Sequence, residues 1–380
     1  MATPRRLRVV IASAIAAAPI AAFGWFGCGR EPTAPQTEQV SAARGGLQED
    51  LEAAIRAKDR HSARLLKTPG VVGVAVARDN AGRAAVLMLT TVPGIAGLPA
   101  TLDGIPVIVE VTGLLVALPL QATKTAATPG RGRISASSEF AHPVPIGVST
   151  SNVTANVAAA CATGTLAARV TNGANVYALS ANHIYALTNS AATGTSVVQP
   201  GLLDDDCVIG GTVFTSDPDG PNDASDVIGT LASFHTIAFC AGATCPDNTI
   251  DAAIALSSTA NLGKATPSNG YGTPNSATVS ASLGQRVEKY GRSTELTTGR
   301  VIALDATVMI DYGGGQIAQF VHQIVIGGGG FAKAGDSGSL VVSQDGLHPV
   351  GLLFAGTHRV TIANPISDVL TAFGVTVDGS

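Results

Sequence analysis

Three polar side chains, each set in an apolar or glycine-rich stretch, have the types needed for acyl transfer. His183 closes the run "YALSANH", Asp251 opens "DAAIAL", and Ser337 stands between glycines in "AGDSGS". Singly, each has an ordinary structural explanation: a hydrogen-bonding histidine, a strand-capping aspartate, a serine in a turn. Together they form a chemical set. A serine hydroxyl is a poor nucleophile at neutral pH and needs a base within hydrogen-bond reach. Neutral imidazole suits that task because its ordinary pKa lies near the working pH. A carboxylate behind the imidazole fixes its tautomer and stabilises the imidazolium. Asp251 borders a strongly apolar run, where an unpaired carboxylate would be expensive. Glycines around Ser337 leave the backbone N–H groups of Gly335 and Ser337 able to face a developing oxyanion. The whole segment reads "IGGGGFAKAGDSGSLVV", more backbone freedom than entry into a strand requires.

The elements that must hold these groups read as short strands. The chain has 380 residues, 46% apolar but only 4% aromatic, with 44 glycines and 20 prolines, a composition of strands and turns rather than of a helical bundle. Strand-like runs recur from "GTLAARV" through "ANVYALSANHIYAL", "QRVEKYG" and "GRVIALDATVMIDY" to "HPVGLLFAG", with a helical pattern only at "ISDVLTAFG". Many short strands indicate a barrel or sandwich, and no repeat of fixed period is present. The formal net charge is −4 and no basic patch is dense, which argues against a nucleic-acid partner.

The N-terminal part divides differently. Arg5, Arg6 and Arg8 precede an apolar run from Val9 to Gly27, the layout of an export signal over residues 1–28. Cys28 follows Gly27 as at a lipoprotein cleavage site, so lipidation at Cys28 and simple secretion both stand, and the destination is secreted, periplasmic or cell-envelope. Residues 29–45 are polar and proline-bearing and read as a tether. Residues 46–120 read as a small α+β module: apolar residues at helical spacing from Leu47, a stop at Pro69–Gly70, two strands around a turn at Asp79 to Gly82, and a third strand at "GIPVIVEVTG". Residues 121–141 are an Ala/Thr/Ser/Gly/Pro-rich linker open to proteolysis, and residues 142–380 form the main domain. In an exported chain the four remaining cysteines, Cys161, Cys207, Cys240 and Cys245, favour two disulfides over a metal site. Three connectivities exist, and Cys161–Cys207 with Cys240–Cys245 is the preferred one. No metal or cofactor is expected. The acidic loop with Asp217, Asp219, Asp223 and Asp226 fails the calcium-loop pattern because Pro221 takes a ligand position.

"GDSGSL" at 335–340, "LSANH" ending at His183 and "DAAIAL" from Asp251 resemble, in order and spacing, the signatures of trypsin/chymotrypsin-like serine peptidases. "QRVEKYGRSTELTTG", Gln285 to Gly299, is similar to the segment of bacterial members such as α-lytic protease and the streptogrisins, and nearer to a group of uncharacterised bacterial trypsin-like proteins. The resemblance covers about residues 142–380. It implies a mainly β fold, a chymotrypsin-like double β-barrel preceded by the α+β module. It further implies a monomeric endopeptidase acting on polypeptides, with His183 as base, Asp251 as its orienter and Ser337 as nucleophile. Gly335 and Ser337 would form the oxyanion hole, and Lys289 would pair with Asp336 to shape its loop. Segments like the module precede the peptidase in the same bacterial group, which leaves a removable pro-domain and a permanent accessory domain both open.

The chain also departs from that pattern. Ile184 follows the histidine where a cysteine is usual, and Phe354 in "GLLFAG" replaces the serine that often sits beside the catalytic aspartate. The specificity pocket is expected at Phe331, Phe354 and Gly356; it has no acidic base, so a small or apolar residue is expected at the cleavage site, with Lys333 nearby. These departures keep a catalytically idle binding or scaffold protein as the alternative function.

Overall fold

The computed structural model describes residues 36–117, 135–154, 161–205, 207–209, 212–213, 225–242 and 244–380. The signal segment with Cys28, most of the 121–141 linker and the acidic loop from 214 to 224 lie outside the described residues. The chain divides into two compact units, Met1–Arg44 and Gly45–Ser380, and the architecture below is that of the second.

Helix α1 spans Gln36–Leu65. Half of the expected tether is therefore helical, in keeping with the helix formers in "QTEQVSAAR"; Gly45 and Gly46 stand inside the helix, where each costs stability but is tolerated. Strands β1 (Val71–Arg78), β2 (Ala84–Thr90), β3 (Thr101–Leu102), β4 (Ile105–Val111) and β5 (Val116–Ala117) follow. The β1–β2 turn closes where the sequence places it, with Asp79 Oδ1 accepting the N–H groups of Ala81 and Arg83, both at 2.9 Å. β1 is apolar on both faces and buried almost throughout. Because strand side chains alternate, Val74 and Val76 pack with α1 residues Ala57 and Ala54, while Ala75 and Ala77 join the large core of the second unit.

The main domain supplies β6 (Ser149–Asn152), β7 (Gly164–Thr165), β8 (Ala168–Thr171) and β9 (Val176–Ser180), the short helix α2 (Asn182–Tyr185), then β10 (Ser196–Val198), β11 (Val208–Ile209), β12 (Thr212–Val213), β13 (Val227–Phe234), β14 (Asp247–Asn248) and β15 (Ala253–Ser257). Its second half contains β16 (Arg286–Gly291), β17 (Glu295–Asp311), β18 (Ile317–Gly327), β19 (Leu340–Ser343), β20 (Pro349–Gly356), β21 (Val360–Pro365), helix α3 (Ile366–Phe373) and β22 (Thr376–Val377). α3 lies where the sequence shows its helical pattern and ends at Gly374, whose φ of 62° is the left-handed C-terminal stop.

Two large sheets result. One has eight strands in the order β22-β8-β9-β15-β13-β10-β6-β7, and the other has twelve, in which β16 to β21 continue through β17 into β1, β2, β4 and β3. The N-terminal strands are thus part of the second sheet: Gly73 pairs with Val308 and Ala77 with Ala303 along β17. Lys58 of α1 reinforces this junction. Its buried ammonium donates to Asp305 Oδ2 at 2.6 Å and to the Asp305 carbonyl at 2.9 Å, at an irregular point of β17. β5 bridges two further strands, with Val116 opposite Asp311 of β17 and opposite Gly356 of β20, and Ala117 opposite Ala355. Disulfides join Cys161 to Cys207 and Cys240 to Cys245, the expected connectivity.

Candidate active site

His183 is delivered by β9, which ends at Ser180 and turns directly into α2. The loop after α2 is held by an amide network: Asn182 Nδ2 donates to Asn189 Oδ1 (2.9 Å) and to the His235 carbonyl (2.7 Å). Asn189 in turn exchanges two hydrogen bonds with the backbone of Ile237, at 2.8 and 2.9 Å. Leu187, Thr188 and Asn189 all take left-handed φ values of 48°, 58° and 72°, a costly run that this network sustains. Asp251 stands just before β15, the neighbour of β9, so sheet pairing brings the two side chains together. His183 Nδ1 and Asp251 Oδ2 are 2.7 Å apart, and the His183 backbone N–H donates to Asp251 Oδ1 at 3.2 Å. Both side chains are buried, and Nε2 of His183 has no hydrogen-bond partner among the described residues. A carboxylate bound at Nδ1 makes Nε2 the basic nitrogen. Two more groups complete the surroundings of Asp251: Tyr312 Oη donates to Oδ2 at 2.7 Å, and Asn364 Oδ1 accepts the Asp251 N–H at 3.1 Å.

Ser337 lies on the loop before β19, packed against the turn that carries His183. A Cβ on Gly338 would meet Ser180 Oγ at 2.3 Å, and one on Gly164 would meet both the Ile184 side chain and the Ser337 carbonyl. The two glycines therefore permit the close approach of this loop to β7 and α2. Ser337 is fully buried, and its Oγ donates to the Phe354 carbonyl at 3.1 Å. The peptides on either side are fixed from outside. Ser293 Oγ donates to the Ala334 carbonyl at 2.6 Å, and the Asp336 carbonyl accepts Ser339 N–H at 3.0 Å and Ser339 Oγ at 2.6 Å. In a planar trans peptide the N–H points opposite the C=O, so the N–H groups of Gly335 and Ser337 point away from those anchors. Gly335 takes a φ of 94°, which its missing Cβ permits.

Asp336, also fully buried, holds the loop from the other side. Its Oδ1 accepts the N–H groups of Ser293 (2.9 Å) and Thr294 (3.1 Å), and its Oδ2 accepts Thr294 Oγ1 (2.7 Å) and the Lys333 N–H (2.9 Å). Lys289 Nζ is 3.6 Å from Asp336 Oδ2 and donates to Thr294 Oγ1 and, at 3.0 Å, to the Glu295 carbonyl. The expected cation therefore stands at Asp336, and Thr294 is hydrogen-bonded to both partners. Burial pulls the Lys289 ammonium below its usual pKa, and the charge of Asp336 acts against that shift.

The three residues placed in the specificity pocket separate. Phe331 is nearly buried among Val341, Leu353 and Ala363, with Lys289 Nζ 5.9 Å from its ring centroid, while Lys333 is exposed. The Phe354 side chain turns into the core against Phe320, centroids 4.8 Å apart, so it is its carbonyl that meets Ser337. Gly356 pairs with Val116 of β5. Tyr312, Ser293, Thr294, Ser339 and Asn364 were not singled out by sequence reasoning. Only the "QRVEKYGRSTELTTG" segment carried a signal, and it pointed to Lys289 alone.

No family model matches the chain. It is 31% identical over 110 residues to glutamyl endopeptidase 2 of Streptomyces griseus, covering 29% of this chain and 56% of that protein. It is 33% identical over 100 residues to streptogrisin-D of the same organism, covering 26% of this chain and 24% of that protein. The chain thus spans about half the length of the first relative and a quarter of the second. Solved structures similar to it include a glutamic acid specific serine protease that uses a histidine triad in substrate binding, with 22% identity over 62% of this chain and 100% of that one and a TM-score of 0.40. Thermobifida fusca protease A is 17% identical over 57% of this chain and 92% of its own, TM-score 0.38. An α-lytic protease homolog, N4, is 15% identical over 61% and 98%, TM-score 0.40. Over parts of its length the chain is thus similar to bacterial proteases, and its mainly β architecture of two large sheets is in keeping with the trypsin/chymotrypsin-like resemblance.

Proposed function

We propose that the chain is an exported serine endopeptidase working through Ser337, His183 and Asp251. The observation that carries this reading is the buried His183–Asp251 pair, bonded at Nδ1 with Nε2 left without a partner, beside the glycine-lined Ser337 loop. In the reaction Ser337 Oγ turns from the Phe354 carbonyl towards His183 Nε2, gives it a proton and attacks the scissile carbonyl. The N–H groups of Gly335 and Ser337 receive the oxyanion. Collapse breaks the C–N bond, the amine leaves with the proton from Nε2, and a water activated by the same nitrogen releases the acid. The expectation of a small or apolar residue at the cleavage site rests on the sequence, which has no acidic side chain at Phe331.

The N-terminal module is read as an inhibitory pro-segment rather than a permanent accessory domain. Its β5 pairs with Ala355 and Gly356, next to the carbonyl that holds Ser337. The two disulfides support export, with Cys28 as the candidate lipid site and a monomer as the working unit.

One observation favours the alternative of an idle scaffold: Ser337 Oγ is bonded to Phe354 and not to His183. A fluorophosphonate probe decides between them. Labelling of the wild type, intact or after cleavage in the 121–141 linker, and none of Ser337→Ala supports the peptidase. No labelling of folded protein in either form overturns it.

A further inference from the structure

Phe354 offers no hydroxyl to Asp251, yet Asp251 Oδ2 receives a second hydrogen bond, from a tyrosine 61 residues further along the chain. Tyr312 stands at the end of β17, in the turn that leads to β18. Its backbone is fixed on every side. Its N–H donates to the Gln316 carbonyl at 2.8 Å, and the preceding Asp311 donates its N–H to the Leu115 carbonyl at 2.9 Å. Its ring is fixed as well: edge-on to Phe239 at 5.6 Å, stacked on Phe320 at 6.3 Å, and edge-on to His183 at 6.0 Å. A phenol held this way has one polar atom, and that atom meets the same carboxylate oxygen as His183 Nδ1. Burial, and then the charge of Asp251, push the Tyr312 phenol well above the usual tyrosine pKa, so it stays protonated and donates.

We propose that Tyr312 is the positioning residue for Asp251, its phenol fixing the carboxylate on His183 in place of a hydroxyl at Phe354. The inference rests on the endopeptidase reading for its kinetic consequences, although the contact itself does not. A donor on Oδ2 does two things. It removes the rotational freedom of a carboxylate otherwise oriented by the backbone N–H and ring of His183, and it withdraws negative charge from the imidazole. Other titratable side chains on neighbouring segments include Tyr185 of α2, whose Oη accepts Thr150 Oγ1 at 3.3 Å, His235, whose backbone N–H bonds Ala252, and Asp311, whose Oδ1 accepts the Gly313 N–H.

Tyr312→Phe keeps the ring and removes only the donor. It is expected to lower kcat about tenfold with KM held within about twofold. The acid limb of the kcat/KM profile is expected to move upward by about 0.5–1 pH unit, because the carboxylate beside the imidazole becomes more negative. The NMR resonance of the His183 Nδ1 proton, read without substrate, should shift in the same variant. Incorporation of 3-fluorotyrosine at 312, a stronger donor of nearly the same shape, should move the limb the opposite way and covers the case in which Tyr312→Phe fails to fold. An unchanged pH limb and Nδ1 resonance in folded Tyr312→Phe would overturn the proposal and leave Tyr312 a packing residue. A shifted resonance in a chain that cleaves no peptide would sink the peptidase reading and leave the positioning role standing.

Discussion

Replacing Lys289 by Met removes one charge and keeps most of the side-chain volume. The ammonium is 3.6 Å from Asp336 Oδ2 and both side chains are fully buried. At an effective dielectric constant of about 20, two unit charges at that separation attract by about 4–5 kcal/mol. The whole of this is not lost, for two reasons. Burial already penalises the ammonium, as its depressed pKa shows, and Asp336 keeps its bonds from Ser293, Thr294 and Lys333. Breaking a buried pair on one side costs about 3–5 kcal/mol as a rule, so a loss of about 2–4 kcal/mol is expected for Lys289→Met. Urea unfolding followed by far-UV circular dichroism measures it, since Trp25 is the sole tryptophan and lies in the N-terminal segment. The rate of fluorophosphonate labelling should fall in parallel, because Asp336 sets the peptide that carries the Ser337 N–H. Depression of the Lys289 pKa also fixes a sign. Beyond the loss at neutral pH, the wild type gains further stability as pH rises from the folded value to the usual lysine value of 10.5, a gain that falls away again at lower pH and that the variant lacks, so the gap widens towards high pH. Equal unfolding midpoints and equal labelling rates would refute the assignment of Lys289 as the partner of Asp336.

Ser337→Ala should lower peptide turnover about a million-fold while leaving the unfolding midpoint near that of wild type. Ser293→Ala frees the Ala334 carbonyl and with it the Gly335 N–H; kcat should fall about tenfold at nearly constant KM, and an unchanged kcat would show that the peptide is held by Asp336 alone. Exchanging Cys161 and Cys207 for serine opens a loop of 46 residues and should cost about 4 kcal/mol in urea unfolding, against about 2 kcal/mol for Cys240 and Cys245, whose separation is 5. Replacing Leu115 to Ala117 by Gly-Ser-Gly should speed labelling by a peptidyl phosphonate, and equal rates would argue against β5 as an inhibitory strand.

The proposed triad of Ser337, His183 and Asp251 was legible as a candidate set because acyl transfer restricts residue type so severely that a few letters carry the signal. The anchors around them were not. Tyr312 looks from the sequence like the end of an apolar strand, and only the pairing of β17 with β18 and β5 sets it beside Asp251. Ser293 contacts a carbonyl 41 residues away. Phe354 stands where the resembling pattern has a serine facing the site, whereas strand alternation turns its ring into the core against Phe320. The helical start at Gln36 was hidden by proline and glycine on either side of a stretch of helix formers. The joining of the N-terminal strands to the second sheet left one local trace. β1 is apolar on both faces, the pattern of a strand covered from two sides, but nothing local names β17 as its neighbour.

That junction has a consequence for how the chain is made. Gly73 pairs with Val308, so 235 residues (308 − 73) separate the first partner from the second as the polypeptide emerges. Until β17 arrives, β1 presents an open row of N–H and C=O groups and an apolar face, the kind of edge on which chains aggregate. The closing of this contact is therefore a late event of folding, and the last barrel is completed only when the earliest strands are still attached or have remained bound.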